Sequence, residues 1–177
     1  MHKYRATIPL IFAALLVTAL PAMAQRADDA DRASKNGMVK GKIDGVSITV
    51  EYGRPKVKGR SIWGGLVPYG QVWRTGADEA TTITFSADVE ISGQKLAAGT
   101  YGLFTEPGEN EWTVIFNKVS QQWGAFRYDA GQDALRVSAT PKAIGEHVEE
   151  MEFVIVDSWV ALQWERLAVP FEVKKSG

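Results

Sequence analysis

The chain has 177 residues, a formal net charge of −1 and no cysteine. Its length suits one domain with a single core, and its near-neutral charge provides no general attraction to nucleic acid or to anionic lipid. Without cysteine there is no thiol nucleophile, no disulfide and no cysteine-based zinc module. The composition therefore argues against nucleic-acid binding and against thiol or zinc chemistry.

The first 24 residues have the three parts of a secretory signal peptide. A basic start, Lys3 and Arg5, precedes an apolar run over residues 6–20, and a small-x-small cleavage site ends at Ala24. The apolar run is shorter than the roughly 20 residues of a stable transmembrane helix. We therefore expect residues 1–24 to be removed, the mature chain to carry no membrane span, and the protein to be exported to the periplasm or the extracellular space.

Cleavage would leave His147 as the remaining histidine, because the other one is His2. His147 lies in the polar sequence GEHVEE, which indicates an exposed or capping residue rather than a catalytic one. A site made of several histidines is then excluded, and no dense run of oxygen ligands suggests a calcium loop. The sequence predicts neither a metal nor a cofactor.

The rest of the chain predicts an all-β protein. Residues 25–37 are polar and lack apolar periodicity, so we expect a flexible leader and a folded domain over residues 38–177. Residues 46–52 alternate apolar and polar side chains, and Arg54-Pro55 ends that strand because proline cannot donate to a ladder. The further β-prone runs are 81–86, 89–91, 100–105, 112–117, 135–140, 148–156, 158–167 and 169–173. About nine or ten short strands separated by turns are typical of a single-domain β-sandwich, jelly-roll-like in its connections.

Two features of this pattern stand out. The run 112–117 has apolar residues on both faces, which indicates a central strand. The connections over residues 54–72 and 118–133 are long and irregular, and such loops are often functional in compact domains.

Several segments together carry a family resemblance. They are Tyr52 to Phe85, Gly99-Thr-Tyr-Gly-Leu-Phe-Thr, Trp112-Thr-Val-Ile-Phe-Asn-Lys, Gln122-Trp-Gly and Asp133-Ala-Leu-Arg-Val. The chain resembles the exported bacterial family catalogued as domain of unknown function 2911, most closely at Trp73-Arg-Thr-Gly-Ala and Glu79-Ala-Thr-Thr. That family often has asparagine where this chain has Asp78. The resemblance covers essentially the whole mature domain and implies a secreted, mainly β protein, but it brings no reaction, ligand or catalytic residue.

The candidate site is the segment from Arg54 to Thr82, which concentrates basic, aromatic and glycine residues outside any strand period. Arg74 could hold a carboxylate, phosphate or sulfate with its planar fork, and Arg54 or Arg60 could add charge. The alternative is that Arg74 pairs with the acidic residues that follow it, Asp78 and Glu79, and only fixes the loop.

Aromatic residues give a second reason to suspect this region. Flat platforms for sugar rings or for a cationic group could come from Trp63, Tyr69, Trp73 and Trp123. The alternative is core packing, which strand alternation favours for Trp112, Trp159 and Trp164. Since Trp123, Arg127 and Tyr128 lie in the second long connection, we expect that loop to close onto Trp73-Arg74 and complete one pocket.

Three functions remain open at this stage. The leading hypothesis is a non-catalytic binding module for a small polar, anionic or glycan-like ligand, or for an acidic segment of a partner protein. The alternative enzyme is a carboxylate-dependent hydrolase of envelope or extracellular polysaccharide, in which Asp78 or Glu79 would need a second carboxylate such as Asp129 or Asp133 about 5 to 10 Å away. The third hypothesis is a structural envelope protein with no ligand.

Overall fold

The computed structural model describes Arg26 and residues 28–177, so the signal peptide expected at residues 1–24 lies outside the described residues. This part of the chain contains ten strands and a short 3₁₀ helix, Ala130–Gln132. The strands are β1 (Lys35–Ile43), β2 (Val46–Arg54), β3 (Thr81–Phe85), β4 (Val89–Ile91), β5 (Gln94–Leu96), β6 (Gly99–Glu106), β7 (Trp112–Asn117), β8 (Asp133–Ala139), β9 (Lys142–Val156) and β10 (Trp159–Lys175). Over the same residues, no helix has the length and apolarity needed to cross a membrane.

The strands form two antiparallel sheets that pack face to face. The large sheet has the order β1-β2-β3-β6-β7-β8, and the small sheet has the order β5-β4-β10-β9. Between them the ring of Phe116 on β7 meets that of Phe171 on β10 at 5.7 Å, and Phe85 on β3 lies 6.2 Å from Phe116. The expected all-β sandwich is confirmed.

Two boundaries differ from the sequence expectation. Strand β1 begins at Lys35, within the segment expected to be a flexible leader, because residues 35–43 pair along their whole length with β2. The runs 158–167 and 169–173 are one continuous strand, β10. Pro170 is accommodated because it lies after the last residue paired with β9 and before the first residue paired with β4, where its missing N–H breaks no ladder bond.

Strand β7 is buried on both faces, as its sequence predicted, but it lies one strand from the edge of the large sheet. One face, which includes Trp112, packs into the main core between the sheets. On the other face Ile115 packs with Ala80 and Phe104 in a small second core. That second core is covered by side chains from the two long connections, Val72, Ala125 and Tyr128. The loops, rather than a central position in the sheet, therefore account for the second apolar face.

Candidate functional site

Residues 73–80, here called the Arg74 loop, are fixed against the large sheet by backbone hydrogen bonds. The amide of Trp73 donates to the carbonyl of Thr105 at 2.7 Å, and the amide of Thr105 donates back at 3.0 Å. At the other end, the amide of Thr81 donates to the carbonyl of Arg74 at 3.1 Å, and its hydroxyl donates to the carbonyl of Thr75 at 2.7 Å. The backbone of Arg74 is thereby held between β6 and β3.

The same loop has an unusual backbone. Thr75 and Asp78 both have positive φ values, 55° and 62°, a region that non-glycine residues and β-branched residues above all seldom adopt. The loop also lies directly on β2, because a Cβ at Gly53 would come within 2.3 Å of the carbonyl oxygen of Ala77. Such conformations persist only where the surrounding structure fixes them, and they concentrate at functional sites.

Arg74 faces a cavity of about 290 Å³, here called the Arg74 cavity. Its lining includes Arg60, Leu66, Trp73, Arg74, Asp78 and Trp164. Among the described residues, the Arg74 side chain has no hydrogen bond and no ion pair, and its Nε is buried without an acceptor. The indole nitrogen of Trp164 is likewise buried without an acceptor. Two unpaired donors therefore belong to residues that line one cavity.

The acidic residues expected to neutralise Arg74 are paired elsewhere. Arg32, which precedes β1, forms a bidentate ion pair with Glu79, with one N–O distance of 2.7 Å, and also lies 3.4 Å from a carboxylate oxygen of Asp78. Asp78 still acts on Arg74 at longer range. Burial lowers the pKa of Arg74, and the charge of Asp78 offsets part of that shift. In the described part of the chain, Arg74 is thus a partly buried cation without a bonded counterion.

Arg26 strengthens the attachment of the N-terminal segment. Its guanidinium donates to the backbone carbonyls of Ala77, Glu79 and Ala80 at 3.3, 3.0 and 3.1 Å. It also lies 3.5 Å from the Glu79 carboxylate. The segment expected to be a flexible leader is therefore docked on the Arg74 loop through Arg26 and Arg32, because both guanidinium groups find carbonyl or carboxylate acceptors there.

These contacts determine the ionisation state of the Glu79 carboxyl group. The hydrogen bond from Arg32 is the largest cause that lowers the pKa of Glu79 from an ordinary 4.5 to about 2, although partial burial opposes it. A carboxyl group with this pKa is ionised at neutral pH and carries no proton to donate. Glu79 is therefore poorly suited to be the general acid of a glycosidase.

The loop over residues 118–132 closes onto the Arg74 loop. The amide of Ala80 donates to the carbonyl of Gln122 at 2.9 Å, and the amide of Gly124 donates to the carbonyl of Asp78 at 2.9 Å. Trp123 lies beside Glu79 in this pairing and lines a cavity of about 250 Å³, here called the Trp123 cavity. The expected closure is present, but in the described structure Trp123 and Arg74 line separate cavities.

The remaining basic residues proposed for the site have different surroundings. Arg54 forms an ion pair with Glu150 at 2.8 Å, which ties the end of β2 to β9. Arg60 lines the Arg74 cavity and donates to the carbonyl of Val57 at 3.1 Å. Arg127 lies on the 118–132 loop in an open groove that it shares with Phe126 and Trp123.

The aromatic residues proposed for the site also lie in different surroundings. The ring of Trp63 lies 5.0 Å from that of Trp112 and 5.7 Å from that of Trp164, so it packs into the main core. Trp73 stacks on Trp164 at 6.0 Å with an interplanar angle of 17°, and both rings line the Arg74 cavity. Tyr69 is exposed on the first long connection. Of the loop tryptophans, Trp73 therefore belongs to the Arg74 cavity and Trp123 to the Trp123 cavity.

The carboxylates suggested as partners for a hydrolase have structural roles. Asp129 caps the 3₁₀ helix by accepting from the amide of Gly131 at 2.9 Å. Asp133 accepts from Asn117 at 2.8 Å, from Tyr128 at 2.6 Å and from Arg136 at 3.0 Å. Across Arg26 and residues 28–177, no group of three histidine or carboxylate side chains is placed to hold a metal ion.

Several residues of these two cavities and of the contacts around them were not predicted from the sequence. Arg26, which lines the Trp123 cavity, and Arg32, which pairs with Glu79, lie in a polar segment without periodicity, and nothing local indicates their partners. Glu51 occupies a polar position in the alternating run 46–52. That alternation predicts that its side chain points away from the core, but it does not predict a cavity there. Trp164 was expected in the core; it is buried there, and it also lines the Arg74 cavity.

The comparison with known families covers most of the chain. The family model described as protein of unknown function DUF2911 matches residues 34–173, a range that contains the Arg74 loop and begins after Arg26 and Arg32. No curated protein and no solved structure is significantly similar to the chain.

Proposed function

The chain belongs to the DUF2911 family, and we propose that it is an exported, non-catalytic binding protein for a small organic anion held at Arg74. The observation that carries this proposal is the Arg74 guanidinium, which lines a cavity and has no bonded counterion among the described residues. A partly buried charge without a bonded partner is unfavourable, and a bound anion would supply that partner.

The donors favour a carboxylate, phosphate or sulfate group. The unpaired Nε of Arg74 belongs to a planar fork that can grip two oxygens of one anion. Trp164, which lines the same cavity, carries a second unpaired donor in its buried indole nitrogen, and Arg60 adds positive charge. A buried donor without an acceptor is energetically costly. A ligand rich in acceptors would therefore gain affinity by accepting hydrogen bonds from both Arg74 and Trp164.

The rest of the lining narrows the ligand class. Leu66 and Trp73 give the cavity an apolar wall, while Asp78 supplies an acceptor near Arg74. The negative charge of Asp78 disfavours a polyanion but suits a hydroxyl or ammonium group on the ligand. A volume of about 290 Å³ fits a small molecule. The best match is a compact carboxylate that also carries hydroxyl or amino groups, such as a hydroxy acid or a sugar acid.

The two alternatives receive less support from the same geometry. A structural protein without a ligand predicts that Arg74 is saturated by Asp78 and Glu79, yet these residues pair with Arg32. A carboxylate-dependent hydrolase needs one carboxyl group that holds a proton, and Glu79 does not suit that role because its pKa is lowered to about 2. Within Arg26 and residues 28–177, no specific contact favours either alternative over binding.

The proposal is tested by thermal unfolding of the mature protein with a panel of lactate, gluconate, glucuronate, phosphate and sulfate. A ligand that binds only the folded state raises the melting temperature in a concentration-dependent way. We expect at least one carboxylate to do so, and Arg74→Gln to abolish the shift. Arg127→Gln removes an arginine outside this cavity and serves as the matched control. An equal shift in Arg74→Gln, or no shift with any anion of the panel, would contradict the proposal.

A further inference from the structure

The second cavity, which Trp123 lines, has a chemistry unlike that of the first. It lies on the outer face of the large sheet, beneath the 118–132 loop and the docked N-terminal segment. Its lining includes Arg26, Glu51, Glu79, Thr82, Gln122 and Trp123. Asp78 lines the Arg74 cavity, whereas the next two residues of the loop line this one. The two cavities are therefore neighbours along the chain but are formed by different side chains.

The charged groups around this cavity are already engaged with one another. Glu79 is neutralised by its bidentate pair with Arg32 and by Arg26 at 3.5 Å. Glu51 acts electrostatically on Arg26 from the β2 side. Asp78, 3.4 Å from Arg32, adds a third carboxylate to Glu51 and Glu79 against the two arginines, so an anionic ligand is disfavoured. A neutral ligand with hydroxyl donors suits this charge distribution.

The polar atoms that remain unpaired are mainly acceptors. The side-chain oxygen of Gln122 is buried without a donor, while its amide nitrogen already donates to the carbonyl of Val119 at 3.0 Å. Among the described residues, the carboxylate of Glu51 makes no hydrogen bond, and the hydroxyl of Thr82 makes none either. The Gln122 oxygen is buried and therefore requires a donor, which a ligand hydroxyl would supply. Glu51 and Thr82 are half-buried and offer further acceptors to the same ligand.

Trp123 supplies the apolar part of the site. It retains 59% of its exposure, which is unusual for a large aromatic residue whose backbone is fixed by ladder-type pairing with Glu79. An indole placed beside hydroxyl-binding groups suits a ligand that is apolar on one face and polar at its rim. We propose that the Trp123 cavity binds one ring of a neutral saccharide, stacked on Trp123 and donating hydroxyl hydrogen bonds to Glu51 and Gln122.

The experiment is calorimetric titration of the mature protein with the methyl glycosides of glucose, galactose, mannose and N-acetylglucosamine. Trp123→Ala should weaken binding at least about tenfold, or about 1.4 kcal/mol, because the stacking surface is lost. Glu51→Gln should weaken it less, since the amide keeps one acceptor. Phe126→Ala is the matched control, because Phe126 is an 88% exposed aromatic residue of the same loop that does not line this cavity. It should leave the affinity unchanged.

The outcomes separate this proposal from that of the Arg74 cavity. Saturable binding of a neutral glycoside that survives Arg74→Gln and is lost in Trp123→Ala supports the saccharide site. Binding confined to sugar acids and lost in Arg74→Gln overturns it and leaves the anion site standing. Absence of saturable binding by every glycoside, or equal affinity in wild type and Trp123→Ala, also overturns it.

Discussion

Arg32 forms a bidentate ion pair with Glu79 across 47 positions of sequence. This pair docks the N-terminal segment on the Arg74 loop, and it also removes Glu79 as a counterion for Arg74. The N-terminal segment therefore determines which acidic residues of the Arg74 loop are paired. By engaging the acidic residues of the loop, it leaves one arginine available to a ligand in the neighbouring cavity.

The first prediction concerns the stability of the protein without ligand. Arg74→Gln removes a partly buried charge that has no bonded counterion, so it should leave the free energy of unfolding within about 0.5 kcal/mol of the wild type or raise it. Urea unfolding monitored by tryptophan fluorescence measures this. A loss of about 3 kcal/mol or more would indicate a broken buried ion pair, and would thereby favour the purely structural role of Arg74.

The second prediction concerns acid. Because the pKa of Glu79 is lowered in the folded state, its stabilising contribution is complete above about pH 4.5 and is lost as the pH falls toward about 2. Wild type should therefore lose more unfolding free energy between about pH 7 and about pH 3 than Glu79→Gln does. Urea unfolding at both pH values measures the difference. Glu51→Gln controls for the removal of a nearby negative charge, and identical pH profiles for wild type and Glu79→Gln would refute the prediction.

The third prediction tests the close contact beneath the Arg74 loop. Gly53→Ala places a methyl group about 2.3 Å from the carbonyl oxygen of Ala77, a backbone atom that cannot move aside cheaply. Overpacking of this kind costs about 1 to 3 kcal/mol. Gly145→Ala is the matched control, because nothing lies within 4 Å of the position that its Cβ would take and its φ is not positive. Thermal unfolding of both variants, followed by anion titration, should show lower stability and weaker binding in Gly53→Ala alone.

The strands could be predicted because their signal is local. The alternation along residues 46–52 identifies β2, and the two apolar faces of residues 112–117 identify β7. Neither pattern depends on residues elsewhere in the chain. The limits of this logic appear at β10. There, the pairing with β9 ends at Ala168 and the pairing with β4 begins at Val173, so one continuous strand was predicted as the two runs 158–167 and 169–173.

The site could be predicted only in part because its contacts are not local. The composition of the segment from Arg54 to Thr82 pointed to the Arg74 loop as the candidate site, and the expected closure of the 118–132 loop onto it is present. Which acid pairs with which arginine is decided by side chains far apart in sequence, and no periodicity in the polar segment before β1 marks Arg26 or Arg32.

The last prediction compares two tryptophans with opposite surroundings. Trp112 is 1% exposed and packs its ring 5.0 Å from Trp63 in the main core, so Trp112→Ala should cost roughly 3 to 5 kcal/mol of unfolding free energy. Trp123 is 59% exposed, and its loop is fixed mainly by backbone hydrogen bonds that alanine keeps, so Trp123→Ala should cost less than about 1 kcal/mol. Urea unfolding of the two variants gives both values. Equal destabilisation by the two substitutions would show that the Trp123 ring stabilises the fold. The exposure of Trp123 would then no longer support a role in ligand binding.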